Sequence, residues 1–94
     1  VTRRDDRTDA DWSVYAERLG TELQRARLRS GLSQEQVAYR AGMSRYTYQK
    51  YEKGESRPGT AANPTLRSML AIAQVLEIPL HAMLPDEAPD LRVR

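Results

Sequence analysis

The run LSQEQVAYRAGMSRYTYQKYEKG, residues 32–54, decides how the chain folds. It reads as two short helices joined by a turn. Ser33 is a good N-cap and Gln36 follows three residues later, so the serine oxygen and the glutamine side chain can satisfy each other's backbone amides in a capping box. Leu32 and Val37 stand at the flanking staple positions and fix the angle at which the chain enters the helix. The second helix repeats the device, with Ser44 as cap and Met43 and Tyr48 as staple. Gly42 lies between the two, where a positive φ closes one helix and lets the next leave steeply, and Gly54 stops the second in the same way. Val37, Ala38 and Ala41 make the buried stripe of the first helix, Tyr48 and Tyr51 that of the second, with Met43 at the corner. The outward face of the second helix then carries Arg45, Tyr46, Gln49, Lys50 and Lys53, three cations and no carboxylate.

This pattern, over residues 33–54, is that of a helix-turn-helix. The bounds set by composition agree with it. Ninety-four residues make one small domain with a single helical core. The sequence has no cysteine, so disulfides and thiolate metal sites are excluded, which suits a reducing cytoplasm. No apolar run is long enough to cross a bilayer, and the charged first residues form no secretory segment. The first residue is valine, which fits a chain trimmed at its start or excerpted from something longer. Net charge is only +2, but residues 18–67 hold ten Lys or Arg against four Glu, while both ends are mildly acidic. The basic segment coincides with the two-helix run.

Outside that run, the polar residues 1–10, VTRRDDRTDA, read as a flexible arm. A first helix is expected to begin between Thr8 and Ser13 and to run to about Ser30, burying Trp12, Tyr15 or Ala16, Leu19, Leu23 and Ala26. Gly20 inside it costs about 1 kcal/mol against alanine and marks a place where another helix packs closely. The apolar surface of Trp12, Val14 and Tyr15 is either extra core or a subunit contact. Residues 55–64, ESRPGTAANP, read as a loop. Thr65 caps a fourth helix with Leu66, Met69, Leu70, Ile72, Ala73 and Leu76 as core, Pro79 to Leu84 suggest a last short one, and residues 85–94 form a polar tail. The fold class is all-α, a compact bundle of about five helices with the domain over 11–84.

Several pieces carry a family resemblance: LGTELQRARLRSGLSQEQVA, AGMS at the turn, YQKYEKGESRP, and LRSMLAIAQVLEIPLHAML behind it. In order and spacing, residues 19–84 resemble the lambda-repressor/Cro type of helix-turn-helix domain, the bacterial family often called xenobiotic-response-element-like. The resemblance implies a structural ion pair between Arg27 and Glu52, tying the first helix to the end of the recognition helix. It also implies base contacts from Arg45, Tyr46 and Lys50, with Gln49 beside them, and a phosphate contact from Gln34. The sequence departs from the family in a longer loop after Gly54 and in Glu77, where relatives often have glycine.

The chemistry of the residues fits double-stranded DNA. A helix fits the major groove, arginine and lysine donate to guanine O6 and N7, and glutamine pairs with adenine. Ser44, Lys53 and Arg57, with Gln34, are the candidate phosphate contacts, while Tyr39 and Arg40 are expected to be solvated. One recognition helix reads few base pairs, so a homodimer on an inverted repeat is expected. Two other readings stand beside this one: an antitoxin that neutralises a protein partner through the Trp12 to Tyr15 surface, and a protein-interaction adaptor. No catalytic constellation is visible, since His81 has no suitably spaced carboxylate, and nothing calls for a cofactor or a metal.

Overall fold

Side-chain caps set where the helices begin. In the computed structural model, which describes residues 6–93, the helix α2 (Gln34–Arg40) starts with the full capping box. The Gln36 amide donates to Ser33 Oγ at 3.1 Å, and the Ser33 amide donates to Gln36 Oε1 at 2.9 Å. Helix α3 (Arg45–Lys53) is capped by Ser44, whose Oγ accepts from the Thr47 amide at 3.0 Å. Helix α4 (Leu66–Leu76) is capped in the same way by Thr65 on the Ser68 amide, and ends with Glu77 in the left-handed region at φ 57°. The long α1 (Asp6–Ser30) precedes these three and the single-turn α5 (Leu80–Met83) follows.

The core is where the apolar stripes meet. Leu19, Leu23 and Ala26 of α1, Val37 and Ala38 of α2, and Tyr48 of α3 form one cluster with Met69, Ile72, Ala73 and Leu76 of α4 and Met83 of α5. Each of these is buried, whereas two residues expected in the core are not: Leu66 and Leu70 are 66% and 41% exposed. The inward stripe of α4 runs through Met69, Ile72, Ala73 and Leu76. At roughly 100° per residue Leu70 lies about a quarter-turn outside it, and Leu66 sits in the first turn at its edge.

Three boundaries differ from those read in the sequence. Helix α1 begins at Asp6, so Arg7 to Ala10 are helical and not part of an arm, and Arg3 and Arg4 lie outside the described residues. The segment after Gly54 is not a plain loop. Strands β1 (Glu55–Arg57) and β2 (Thr60–Ala61) pair antiparallel as a small hairpin with an irregular register. The tail from Pro85 has no regular structure but returns along α1, where the Tyr15 hydroxyl donates to the Pro85 carbonyl at 3.0 Å and Arg18 to the Asp86 carbonyl at 2.8 Å. Trp12 is likewise turned to its own chain, its indole N–H donating to the Ala62 carbonyl at 3.0 Å. Trp12 and Tyr15 are thus extra packing within the chain, while Val14 stays 59% exposed.

Helices α1 and α3 meet without side chains between them. A Cβ on Gly20 would collide with the Glu52 carbonyl and stand 2.8 Å from the Tyr51 carbonyl oxygen. One on Gly54, whose φ is 77°, would stand 2.9 Å from the Glu17 Cα. Beside this contact Arg27 grips Glu52 with two bonds, Nε to Oε2 at 2.6 Å and Nη2 to Oε1 at 3.2 Å, with side-chain exposures of only 11% and 5%. Gln34 Nε2 adds a third bond to Glu52 at 3.0 Å, and Arg27 Nη1 holds the Leu32 carbonyl at 3.0 Å. Burial pushes the Glu52 carboxyl upward, but Arg27, the nearby Tyr48 hydroxyl and Gln34 outweigh it and hold the carboxyl below its ordinary value. The Tyr48 hydroxyl is buried against the pair without a hydrogen bond of good geometry, and burial, followed by the Glu52 carboxylate, raises its pKa.

Removing either partner strands a desolvated charge, so Arg27→Ala and Glu52→Ala are each expected to cost about 3–5 kcal/mol in urea unfolding. The folded Glu52 carboxyl is depressed, so its stabilisation is present above the ordinary carboxylate range and is lost as pH falls through the folded value. The parent should therefore lose stability below about pH 4, and Glu52→Gln should flatten that acid limb; unchanged melting in all three variants would remove the pair from the fold. Gly20→Ala should destabilise by about 1–3 kcal/mol through overpacking, even though alanine is the better helix former. A Gly20→Ala protein as stable as the parent would show that α1 and α3 do not approach as described.

Candidate nucleic-acid interface

What α3 buries determines what it shows. Tyr48 packs into the core at 0% exposure and Glu52 turns inward onto Arg27, which leaves Tyr46, Gln49, Lys50 and Lys53 on the other side, while Arg45, two turns before Glu52, stands at the helix start beside α2. Arg45, Gln49 and Lys53 are exposed, and Tyr46 is 68% exposed. The first turn of α3 holds no acidic residue and its last turn holds Lys50 and Lys53. Of the four residues assigned from the sequence to base edges, Tyr46, Gln49 and Lys50 line one groove, and Arg45 stands apart from them at the helix start. One contact among them was not foreseen: the Lys50 ammonium sits 4.0 Å from the centroid of the Tyr46 ring. These residues are one turn apart, so the helix itself brings them together, and the ring face attracts the cation.

The four residues assigned to phosphate divide into two kinds. Lys53 and Arg57 are exposed. Gln34 and Ser44 have other partners: the Gln34 carboxamide donates to Glu52, and the Ser44 hydroxyl accepts from the Thr47 amide and donates to Thr47 Oγ1 at 3.0 Å. Their side chains hold the fold, so a phosphate reaching them meets groups already engaged. Arg57 belongs to β1 rather than to a loop, and its Nε reaches Thr60 Oγ1 at 3.4 Å across the hairpin tip.

A depression lies beside each end of α3. At its start, Arg45 shares one with Gln34, Glu35, Tyr39, Arg40 and the edge of Arg27. Tyr39 is 84% exposed and Arg40 is exposed, as expected of solvated residues, yet both face the same depression as Arg45. At its end, Tyr46, Lys50 and Lys53 share a groove with Ser56 and Arg57 of the hairpin. Glu55 also lines this groove, and its carboxylate accepts from the Gly59 amide at 3.2 Å. Cations thus extend from the exposed face of α3 onto the hairpin.

The turn at the hairpin tip had a local signal. Pro58 and Gly59 are the residues that a type II turn favours at its two central positions, and Gly59 has the required positive φ, 81°. His81 is exposed on α5. Among the described residues no three His, Cys, Asp or Glu side chains gather as a metal site would need, and no helix is long and apolar enough to cross a membrane.

No characterised protein and no solved structure matches the chain significantly. Residues 18–83 match a family described as a helix-turn-helix domain, spanning α2, α3, the hairpin, α4, α5 and the second half of α1. With most of its length inside that match and two capped helices placed as the motif requires, the chain belongs to the helix-turn-helix domain family.

Proposed function

We propose that the protein is a sequence-specific regulator of transcription, of the lambda-repressor/Cro type, that binds double-stranded DNA as a homodimer and acts as a repressor. The observation that supports this reading is the outward surface of α3, where Tyr46, Gln49, Lys50 and Lys53 line one groove with Arg45 exposed at the helix start, while Glu52 is withdrawn to Arg27. Laid in the major groove, this surface offers Arg45 and Lys50 to guanine, Gln49 to adenine, and the Tyr46 ring to a thymine methyl or a sugar. Lys53 and Arg57 flank it as phosphate contacts, which fix register without reading sequence. Two subunits would place two such helices about one DNA turn apart on an inverted repeat. The rival reading as an antitoxin draws no support from Trp12 and Tyr15, because both are hydrogen-bonded to their own chain.

The decisive experiment is selection of bound duplexes from a random library, followed by affinity against salt for the winning sequence. Enrichment of an inverted repeat, with log affinity falling steeply as log salt rises, is the expected result. Absence of enrichment would favour the antitoxin or adaptor reading instead.

Point variants divide the labour on the surface. Lys50→Ala is expected to relax preference at one position of each half-site, at a cost of about 1–3 kcal/mol on the preferred sequence. Lys53→Ala should weaken all duplexes alike. Tyr46 holds the Lys50 ammonium, so Tyr46→Ala and Lys50→Ala should be non-additive on the preferred duplex, by at least about 0.5 kcal/mol in a double-mutant cycle. Uniform loss across all sequences in the Lys50 variant would show that this lysine does not read bases.

A further inference from the structure

The hairpin stands between two helices. One flank shares a groove with Lys50 and Lys53 of α3, and the other shares a groove with Trp12 and Ser13 of α1, Ser56 lining both. Two hydrogen bonds fix its base. The Ala62 amide donates to the Gly54 carbonyl at 2.8 Å and closes the hairpin on itself, and the Trp12 indole N–H donates to the Ala62 carbonyl at 3.0 Å and ties it to α1. Ala62 is only 3% exposed, so water is a poor substitute for the indole as a partner. A two-stranded hairpin this short has little stability of its own, so its direction relative to α3 must come from such outside contacts.

Trp12 is itself steadied from the far end of the chain. Leu91 lines the same small cavity as Trp12, Thr8 and Asn63. The Trp12 ring lies 5.8 Å from the ring of Tyr15, and Tyr15 and Arg18 hold the carbonyls of Pro85 and Asp86. The returning segment, the first turns of α1 and the hairpin base are therefore one connected unit.

We propose that Trp12 is a positioning residue for DNA binding: through the Ala62 carbonyl it holds the hairpin beside α3 so that Arg57 meets the sugar-phosphate backbone in register with the recognition helix. Residues 85–91 steady Trp12 in that role. The proposal rests on the DNA-binding reading of α3. The base-facing side chains are carried by α3 whatever the hairpin does, so loss of the Trp12 bond removes a phosphate contact and leaves base preference in place.

Trp12→Phe keeps an aromatic ring for packing and removes the donor, together with the bulk of the pyrrole ring. The parent, Trp12→Phe, Arg57→Ala and the double variant are compared on the selected duplex and on a scrambled one across a range of salt. Trp12→Phe should weaken binding by roughly five- to tenfold near 0.1 M salt on both duplexes alike, and reduce the slope of log affinity against log salt by about one. The ratio of the two affinities should not change. Adding Arg57→Ala to Trp12→Phe should then cost about twofold or less, because that contact is already lost. Should Trp12→Phe fail to fold, Leu91→Ala, at a half-exposed position, takes its place and must lower the slope in the same direction. A folded Trp12→Phe protein with the parent's salt slope, or one in which Arg57→Ala still costs its full amount, overturns the proposal and leaves the DNA-binding reading intact. Failure of the parent to bind DNA at all overturns that reading and this proposal with it.

Discussion

The bidentate grip of Arg27 on Glu52 is the constraint on which the other placements depend. Its two charges come from α1 and α3, the Gln34 carboxamide brings α2 to the same carboxylate, and the second guanidinium arm holds the Leu32 carbonyl where α1 passes into α2. Taking both charges out of water is costly, and the cost is recovered only where the geometry is good and the remaining lone pairs are satisfied. Three bonds to one carboxylate meet that condition. Apolar residues of similar volume would pack as well, but they would tolerate several rotations of the helices about one another. The ion pair adds a directional contact to the packing of Tyr48, and the two together set which side of α3 faces out.

The glycine contact sets the distance at which that orientation is held. Gly20 and Gly54 let the backbone of α1 lie directly on the last turn of α3 and the residue after it. An approach this close makes α1 a spine that runs past α3 and on to the hairpin, which it meets at Trp12. The surplus turns of α1 are then not an appendage of the motif. They reach the one element, β1 and β2, that stands beside the exposed end of α3.

Features encoded by near neighbours were legible in the sequence. Capping boxes and staples involve residues three to five apart, and the outward face of α3 follows from the buried one by helix geometry. The Arg27–Glu52 pair was available only through the family resemblance, because spacing across 25 residues carries no local signal. The start of α1 was misplaced because DRTDA has no apolar period. It is helical because extending an established helix fixes one residue for each bond gained and needs no new nucleus. The hairpin was missed because strands of three and two residues are too short to alternate, even though Pro58-Gly59 marks the turn. Gln34 and Ser44 were matched to phosphate as polar types at helix starts, but nothing local tells that their polar atoms already bond to Glu52 and Thr47. The return of the tail onto Tyr15 joins residues 70 apart, beyond the reach of any pattern along the chain.

The same ion pair that orients α3 also shapes its electrostatics. Glu52 lies within three positions of Gln49, Lys50 and Lys53; facing outward, it would set a carboxylate among them, well inside a Debye length, and offset one of their charges. Turned inward, it is neutralised by an arginine that is itself withheld from the surface. Glu55 is handled in a similar way at the hairpin, where its carboxylate takes the Gly59 amide, and Glu22 on α1 is bridged to Arg25 at 2.9 Å. Of the four glutamates in the basic segment, only Glu35 on α2 has neither kind of partner among the described hydrogen bonds and ion pairs. Three of the segment's four acids are thus engaged with other groups of the fold, while Glu35 stands exposed on α2. A face of this kind attracts a polyanion by charge. The rotation that satisfies Glu52 is thus also the rotation that keeps a carboxylate off the surface beside it.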